Sequence, residues 1–229
     1  MHLTPDSEVF AQWGFFKINA TLVYTWVVMA LLLIATWLAT RKLTSDREIT
    51  DWQNRLEVIV SLIRGQIRDL ADTGGDRYLG FIGTLYLFIA LSNLLSFVPG
   101  YEAPTSSLST TGALALCVFC AVPIFGIAEE GLKEYLKHYV EPVFIMLPFR
   151  VISEVSRTIA LAVRLFGNVA SGSILAAILL SVTPLFFPVA LRALELLIGQ
   201  VQAFIFAVLA TVYIASGRRA REEGVKPGS

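Results

Sequence analysis

Histidine and cysteine are scarce in this 229-residue chain, with two of each. Two cysteines cannot build a disulfide-dense secreted scaffold. The pair present, Cys117 and Cys120, has neither a second pair nor a nearby histidine to complete a zinc site. Set inside an apolar run, the two read as small apolar helix residues. His2 and His138 lie outside the apolar runs, which excludes a histidine metal site or catalytic triad within them. No G-x-x-x-x-G-K-[ST] loop occurs, so the chain does not bind ATP in the usual way. A net charge is missing too. Eighteen Lys+Arg against eighteen Asp+Glu leave no basic excess for nucleic acid. Charged residues make up 16%, where a soluble domain carries roughly 25%.

What is abundant is apolar sequence. Hydrophobic residues reach 55% and the mean hydropathy is +0.68. A disordered chain is excluded, and a bundle of membrane helices is expected. The fold class expected is all-α: a single integral membrane domain over residues 1–229 with about five spans. The first run, 20–40, has 21 residues, and a span needs about 20. Trp26 and Trp37 sit near its ends, where amphipathic rings suit the interface. It is not a signal peptide, since a polar, acidic stretch precedes it and no small-residue cleavage site follows. Residues 47–72 repeat Leu56, Ile59, Val60, Ile63, Ile67 and Leu70 at helical spacing, with Arg55, Arg64 and Arg68 on the other side. That pattern predicts an amphipathic helix on the membrane surface or against a partner. Further spans are expected at 79–98, stopped by Pro99-Gly100, and at 110–128. Two long stretches follow, 149–182 and 185–217. Each runs for ~50 Å at 1.5 Å per residue, against a hydrocarbon core of ~30 Å. Their apolar character persists nearly end to end, which favours tilt. Pro184 and Pro188 mark the turn between them.

Basic residues set the orientation. Arg41, Lys42, Arg47, Arg55, Arg64, Arg68 and Arg77 occupy the first long loop, and Lys133, Lys137 and Arg150 the next loop on that side. Arg218, Arg219, Arg221 and Lys226 occupy the tail, whereas the opposite side has Lys17 and, near the last turn, Arg192. The N-terminus is therefore expected outside and the C-terminus in the cytoplasm. There is no internal repeat.

Charges within the spans carry the functional signal. Arg164 is flanked by Ile159 to Val163 and Leu165-Phe166 near mid-membrane. An Arg there costs ~2.5–3.5 kcal/mol on insertion scales, and it cannot be neutralised by deprotonation. It needs a partner carboxylate, a water cavity, or both. Arg157, nearer the cytoplasmic end, can snorkel or pair with Glu154. With the turn centred on Pro184, residues whose numbers sum to about 368 lie level. Ser173 then faces Glu195, and Arg164 lies at the level of Phe204, close to Gln202. Glu195 is ~14 Å further along the helix, a second intramembrane ionisable group, with Arg192 at i−3 as a candidate partner. Asn168, at i+4 from Arg164, shares its face. Ala160, Gly167, Ala170, Ser171, Gly172, Ser173, Ala176 and Ala177 keep the helix slim, so that another helix can come close.

Ser153-Glu154-Val155-Ser156-Arg157 leading to Arg164-Leu165-Phe166-Gly167-Asn168 resembles the signature of subunit a of the F-type ATP synthase. Gln202-Ala203-Phe204-Ile205-Phe206, with Val208-Leu209 and Tyr213, resembles that family's last helix. Ser92-Asn93-Leu94-Leu95 running into Pro99 resembles its second span. The short start, Met1 to Asp6, looks like the bacterial N-type rotary ATPase subgroup. The resemblance covers about 20–216. It implies a non-catalytic stator in a bacterial inner membrane, needing no cofactor or metal. The implied partners are a rotating ring of subunit c, the subunit b peripheral stalk, the other synthase subunits and the lipid bilayer, with no nucleic acid. The essential Arg of the family falls on Arg164. Outer-side channel positions fall on Asn93, Asn168, Ser173, Glu195 and Gln202, and cytoplasmic-side candidates are Glu154, Ser153 and Ser156. Where some members carry an acid in the fifth helix and His in the sixth, this chain has Ser173 and Glu195, so the titratable role rests on Glu195. A stand-alone channel or secondary transporter is the rival reading, but it predicts repeats and broken helices.

Overall fold

The computed structural model describes residues 9–13, 16–40, 58, 61, 64–65, 75–98, 101–131, 146–182 and 187–222. Five helices dominate: α1 (Ala20–Thr40), α2 (Gly75–Leu95), α3 (Leu108–Glu130), α4 (Met146–Val182) and α5 (Phe187–Glu222). A 3-10 turn, Pro104–Ser106, precedes α3. The architecture is the polytopic, all-helical one expected, with one addition. Two short strands, β1 (Val9–Trp13) and β2 (Phe16–Asn19), pair antiparallel ahead of α1. Four helices contain stretches long and apolar enough to cross a membrane: Ala20–Leu38, Arg77–Leu95, Leu108–Ala128 and Ala190–Ile214. The remaining helix, α4, is continuous over 37 residues. Most of the amphipathic stretch 47–72, the loop 132–145, the turn around Pro184 and the end of the tail lie outside the described residues.

The helix ends follow local chemistry. Helix α2 stops at Leu95, three residues before the expected end, and Ser96 to Val98 form turns bonded back to Asn93, Leu94 and Leu95. Pro99 disfavours helical backbone in the residue before it. Ser107 caps α3, its hydroxyl accepting from the Ser109 N–H at 3.2 Å. Gly131 ends α3 at φ 85°, a backbone open to glycine, and its N–H bonds the Ile127 carbonyl at 2.8 Å. Helix α4 begins at Met146, so Pro148 falls inside it rather than before it. In the first turn a missing N–H loses nothing, because those donors have no intrahelical acceptor.

The core follows the 3.6-residue period. Helix α2 buries Tyr78, Ile82, Leu85, Ile89 and Ser92, and α5 buries Gln202, Ala203, Phe206, Ala210 and Ile214. Helix α5 is the hub, packed against α2, α4 and α3. Phe206, Leu165, Leu161, Ile89 and Val118 meet in the central cluster. The outer surface is the inverse of a soluble protein's. Leu33 is 71% exposed, Phe149 69% and Trp26 61%. Apolar surface on this scale suits lipid, where it has nothing to avoid.

Candidate functional site

Helices α4 and α5 form an antiparallel hairpin whose register can be read from two contacts. A Cβ placed on Gly172 would lie 2.8 Å from Glu195 Oε1. At the other end, the Arg157 guanidinium sits over the Tyr213 ring, 5.5 Å from its centroid. Both pairs fall within about two residues of the register expected from a turn at Pro184. Arg157 thus covers an aromatic face, an arrangement that favours a cation.

Arg164 is exposed, beside the stripe of α4 that buries Leu161, Ala162 and Leu165. Among the described residues it makes no hydrogen bond or ion pair. Ser153, Ser156, Ala160, Gly167 and Ser171 are also exposed on α4. The long helix therefore presents a cation amid small and hydroxyl side chains. Gln202, 6% exposed, lies on the buried side of α5, and its Nε2 has no partner among the described residues.

Two turns before Gln202, a cavity of about 360 Å³ opens between α2, α4, α5 and the loop ahead of α3. Asn93, Tyr101, Glu102, Asn168, Arg192 and Glu195 give it a polar lining. Three of the residues expected on the outer side thus converge: Asn93, Asn168 and Glu195. Asn168 connects the cavity to Arg164, one turn away on the same helix. The side chain of Ser173 lies outside the described residues. Gln202 and Arg164 are not in this lining, nor are Ser153, Glu154 and Ser156, which lie on the other end of α4. There Glu154 is half-buried, and its carbonyl accepts from Thr158 Oγ1 at 2.9 Å.

Glu195 divides its two oxygens. Oε2 is 3.8 Å from Arg192 Nη1. Oε1 is buried and has no hydrogen-bond partner among the described residues. It occupies the slot left by the missing side chain of Gly172. A buried carboxylate oxygen without a donor is costly, which marks it as the place where an ion or a proton is wanted.

Asn93 holds the cavity wall. Its Nδ2 donates to the Gly199 carbonyl at 2.8 Å, and its Oδ1 accepts from Thr105 Oγ1 at 3.1 Å. These bonds join α2 to α5 and to the 3-10 turn. Gln200 Nε2 adds a second link to the Ala90 carbonyl at 2.9 Å. Sequence reasoning did not single out Gly172, Tyr101 or Glu102. Burial pushes the Tyr101 phenol above its ordinary range. Tyr101 is therefore a neutral phenol at the mouth, packed edge-on against Tyr24 with ring centroids 5.0 Å apart. Cys117 and Cys120 are exposed on α3 as free thiols.

A family model described as ATP synthase A chain matches residues 22–215. The chain is similar to ATP synthase subunit a 2 of Acaryochloris marina, with 55% identity across 100% of this chain and 98% of that protein. It is similar to ATP synthase subunit a of Albidiferax ferrireducens at 54% identity, over 100% of this chain and 99% of that one. Against ATP synthase subunit a 1 of Chlorobaculum parvum the identity is 56%, over 97% and 99%.

Proposed function

The chain belongs to the ATP synthase A chain family, and from that premise we propose that it is the ion-translocating stator of the synthase's membrane sector. It is a non-catalytic membrane subunit. Its partner in ion transfer is a rotating ring of subunit c, and subunit b of the peripheral stalk holds it still.

One observation carries this reading. Arg164 stands exposed midway along a long helix, and no acid among the described residues pairs with it. A cation in that position needs an anion, and the missing anion belongs to a neighbouring chain. The ring's carboxylates meet that need. Beside Arg164, a passing carboxylate is stable in its charged form, so it releases its ion. Away from Arg164, facing lipid, it is stable only when protonated or ion-loaded. The cavity containing Glu195 is the outer half-channel, where Glu195 exchanges ions with the outside and Asn168 leads toward Arg164. Gln202 and Ser173 contribute polar atoms on the same route. Ser153, Glu154 and Ser156 serve the cytoplasmic half-channel. Arg164 between the two routes blocks a direct leak, so each ion must ride the ring. A potential of 100 mV then supplies ~2.3 kcal/mol per charge as torque. This membrane is the bacterial inner membrane, with the N-terminus outside.

The test is ATP-driven ion pumping in inverted vesicles carrying Arg164→Ala or Arg164→Gln. Coupled pumping is expected to vanish while the subunit still assembles. Pumping at the wild-type rate in either variant overturns the reading.

A further inference from the structure

Resting on the stator reading above, we infer that Arg192 is a positioning residue of the outer half-channel, holding Glu195 in its ion-accepting pose. Three observations meet at this side chain. Its Nη1 lies 3.8 Å from Glu195 Oε2, one turn along α5. The same nitrogen lies 3.4 Å from the Ser96 carbonyl, at the frayed end of α2. Both residues line the cavity, where Arg192 is 53% exposed and Glu195 only 22%.

The geometry assigns different work to the two carboxylate oxygens. Arg192 draws Oε2 toward the mouth. Oε1 is thereby turned into the slot at Gly172, where it has no donor of its own among the described residues. An oxygen already held by a guanidinium is a poor acceptor for a passing ion, and the free one is a good acceptor. Arg192 thus leaves a single open acceptor, set in the slot at Gly172. The Ser96 carbonyl fixes the guanidinium against α2, so the anchor does not swing with the carboxylate. Among the described residues, the other charged group lining the cavity is Glu102. It balances the charge of Arg192 at the entrance, so an incoming cation does not meet a bare positive mouth. On the faces packed around Glu195, Asn93, Ser96, Asn168, Ser171 and Gly172 are uncharged, which among the described residues leaves Arg192 as the cation that orients it.

The experiment is passive ion flow through vesicles stripped of the catalytic sector, with equal subunit content verified by immunoblot. Arg192→Gln is expected to slow flow about three- to fivefold, the upper part of the range that a partly exposed ion pair allows. Arg192→Lys, which keeps the charge, should restore at least half of the wild-type rate. In a Glu195→His background the sign should change: a nearby cation now opposes the protonated imidazole, so Arg192→Gln leaves flow unchanged or raises it. A purely structural tie to Ser96 would instead slow flow in both backgrounds. Wild-type flow in Arg192→Gln, or Lys behaving no better than Gln, overturns the inference. Arg164→Ala is assayed in parallel for coupled pumping. If it loses pumping as expected while Arg192→Gln is silent, only the role of Arg192 fails. If it retains pumping, the stator reading fails and takes this inference with it.

Discussion

At the scale of single residues, Gly172 defines the outer site by what it lacks. A methyl group there would lie 2.8 Å from Glu195 Oε1, 3.1 Å from Cγ and 3.3 Å from Cδ. The nearest atom is the end of a flexible side chain, so Gly172→Ala has a soft neighbour to push aside. The protein is expected to accumulate normally, with the carboxylate displaced. Passive ion flow should fall several-fold, and Gly172→Ala with Glu195→Asp should recover part of it, because the shorter acid clears the methyl. Wild-type flow in Gly172→Ala would show that the slot is not needed. Glu195 itself is the stricter case. Glu195→Leu removes every exchangeable atom and should slow flow far more than Glu195→Asp or Glu195→His; equal rates for the three would rule out its part in conduction. Arg164 and Glu195 were legible in the sequence because a charge in an apolar run is costly and therefore conspicuous. Gly172 was not. One glycine among Ala170, Ser171 and Ser173 looks like general slimness, and only the facing carboxylate gives it a particular purpose.

At the scale of elements, the seam between α2 and α5 fixes the outer wall of the cavity. Asn93 is legible in sequence as a polar residue inside a span, which suggests a channel position. Its bonds to Gly199 and Thr105 show the structural duty that this amide also carries. An interhelical side-chain hydrogen bond in a membrane is worth about 0.6 kcal/mol and at most ~1.7. With two such bonds lost, Asn93→Ala is expected to destabilise the subunit by about 1–3 kcal/mol. Thermal unfolding in detergent would report this as a lowered midpoint. Gly199→Ala attacks the same seam from the other side. Its Cβ would lie 3.1 Å from Asn93 Cβ, Cγ and Nδ2. Part of that obstacle is close to the backbone, so Asn93 must give by a few tenths of an ångström and its bonds across the seam are disturbed. An unchanged midpoint in both variants would show that the seam does not hold the fold. The hairpin register was foreseeable because two prolines punctuate two long apolar helices. The β1–β2 pairing was not foreseeable, because its nine residues mix polar, aromatic and apolar types without a clean period of two. The end of α2 at Leu95 was misplaced for a related reason: Phe97 and Val98 continue the apolar run, and the backbone preference imposed by Pro99 outweighs it.

At the scale of the whole molecule, the zero net charge conceals two populations. Most basic residues flank the helices, where they act as a topology signal. Arg164, Glu195 and Arg192 belong to the helices themselves, and each has a part in the function proposed for the hairpin. The five helices among the described residues are an odd number, so if these alone cross the bilayer the two ends of the chain lie on opposite sides. The excess of Lys and Arg in the first long loop, in the last turns of α5 and just beyond it predicts the cytoplasm for the C-terminal end. This is testable in sealed cells with a membrane-impermeant maleimide. Cys117 and Cys120 are exposed on α3 and must first be replaced by Ala to remove background labelling. Thr4→Cys should then react from outside without permeabilisation, and Gly228→Cys only after it. Labelling of both from the same side would mean an even number of crossings, with one of the five helices lying along the membrane instead of through it. Were α4 or α5 that helix, the hairpin would not span the bilayer and the proposed half-channels could not open to opposite compartments. The reverse pattern, with Gly228→Cys reacting from outside, would invert the assignment of Glu195 to the outer route and of Glu154 to the cytoplasmic one. Arg164 would keep its place between them, since its role as a barrier does not depend on which face is which.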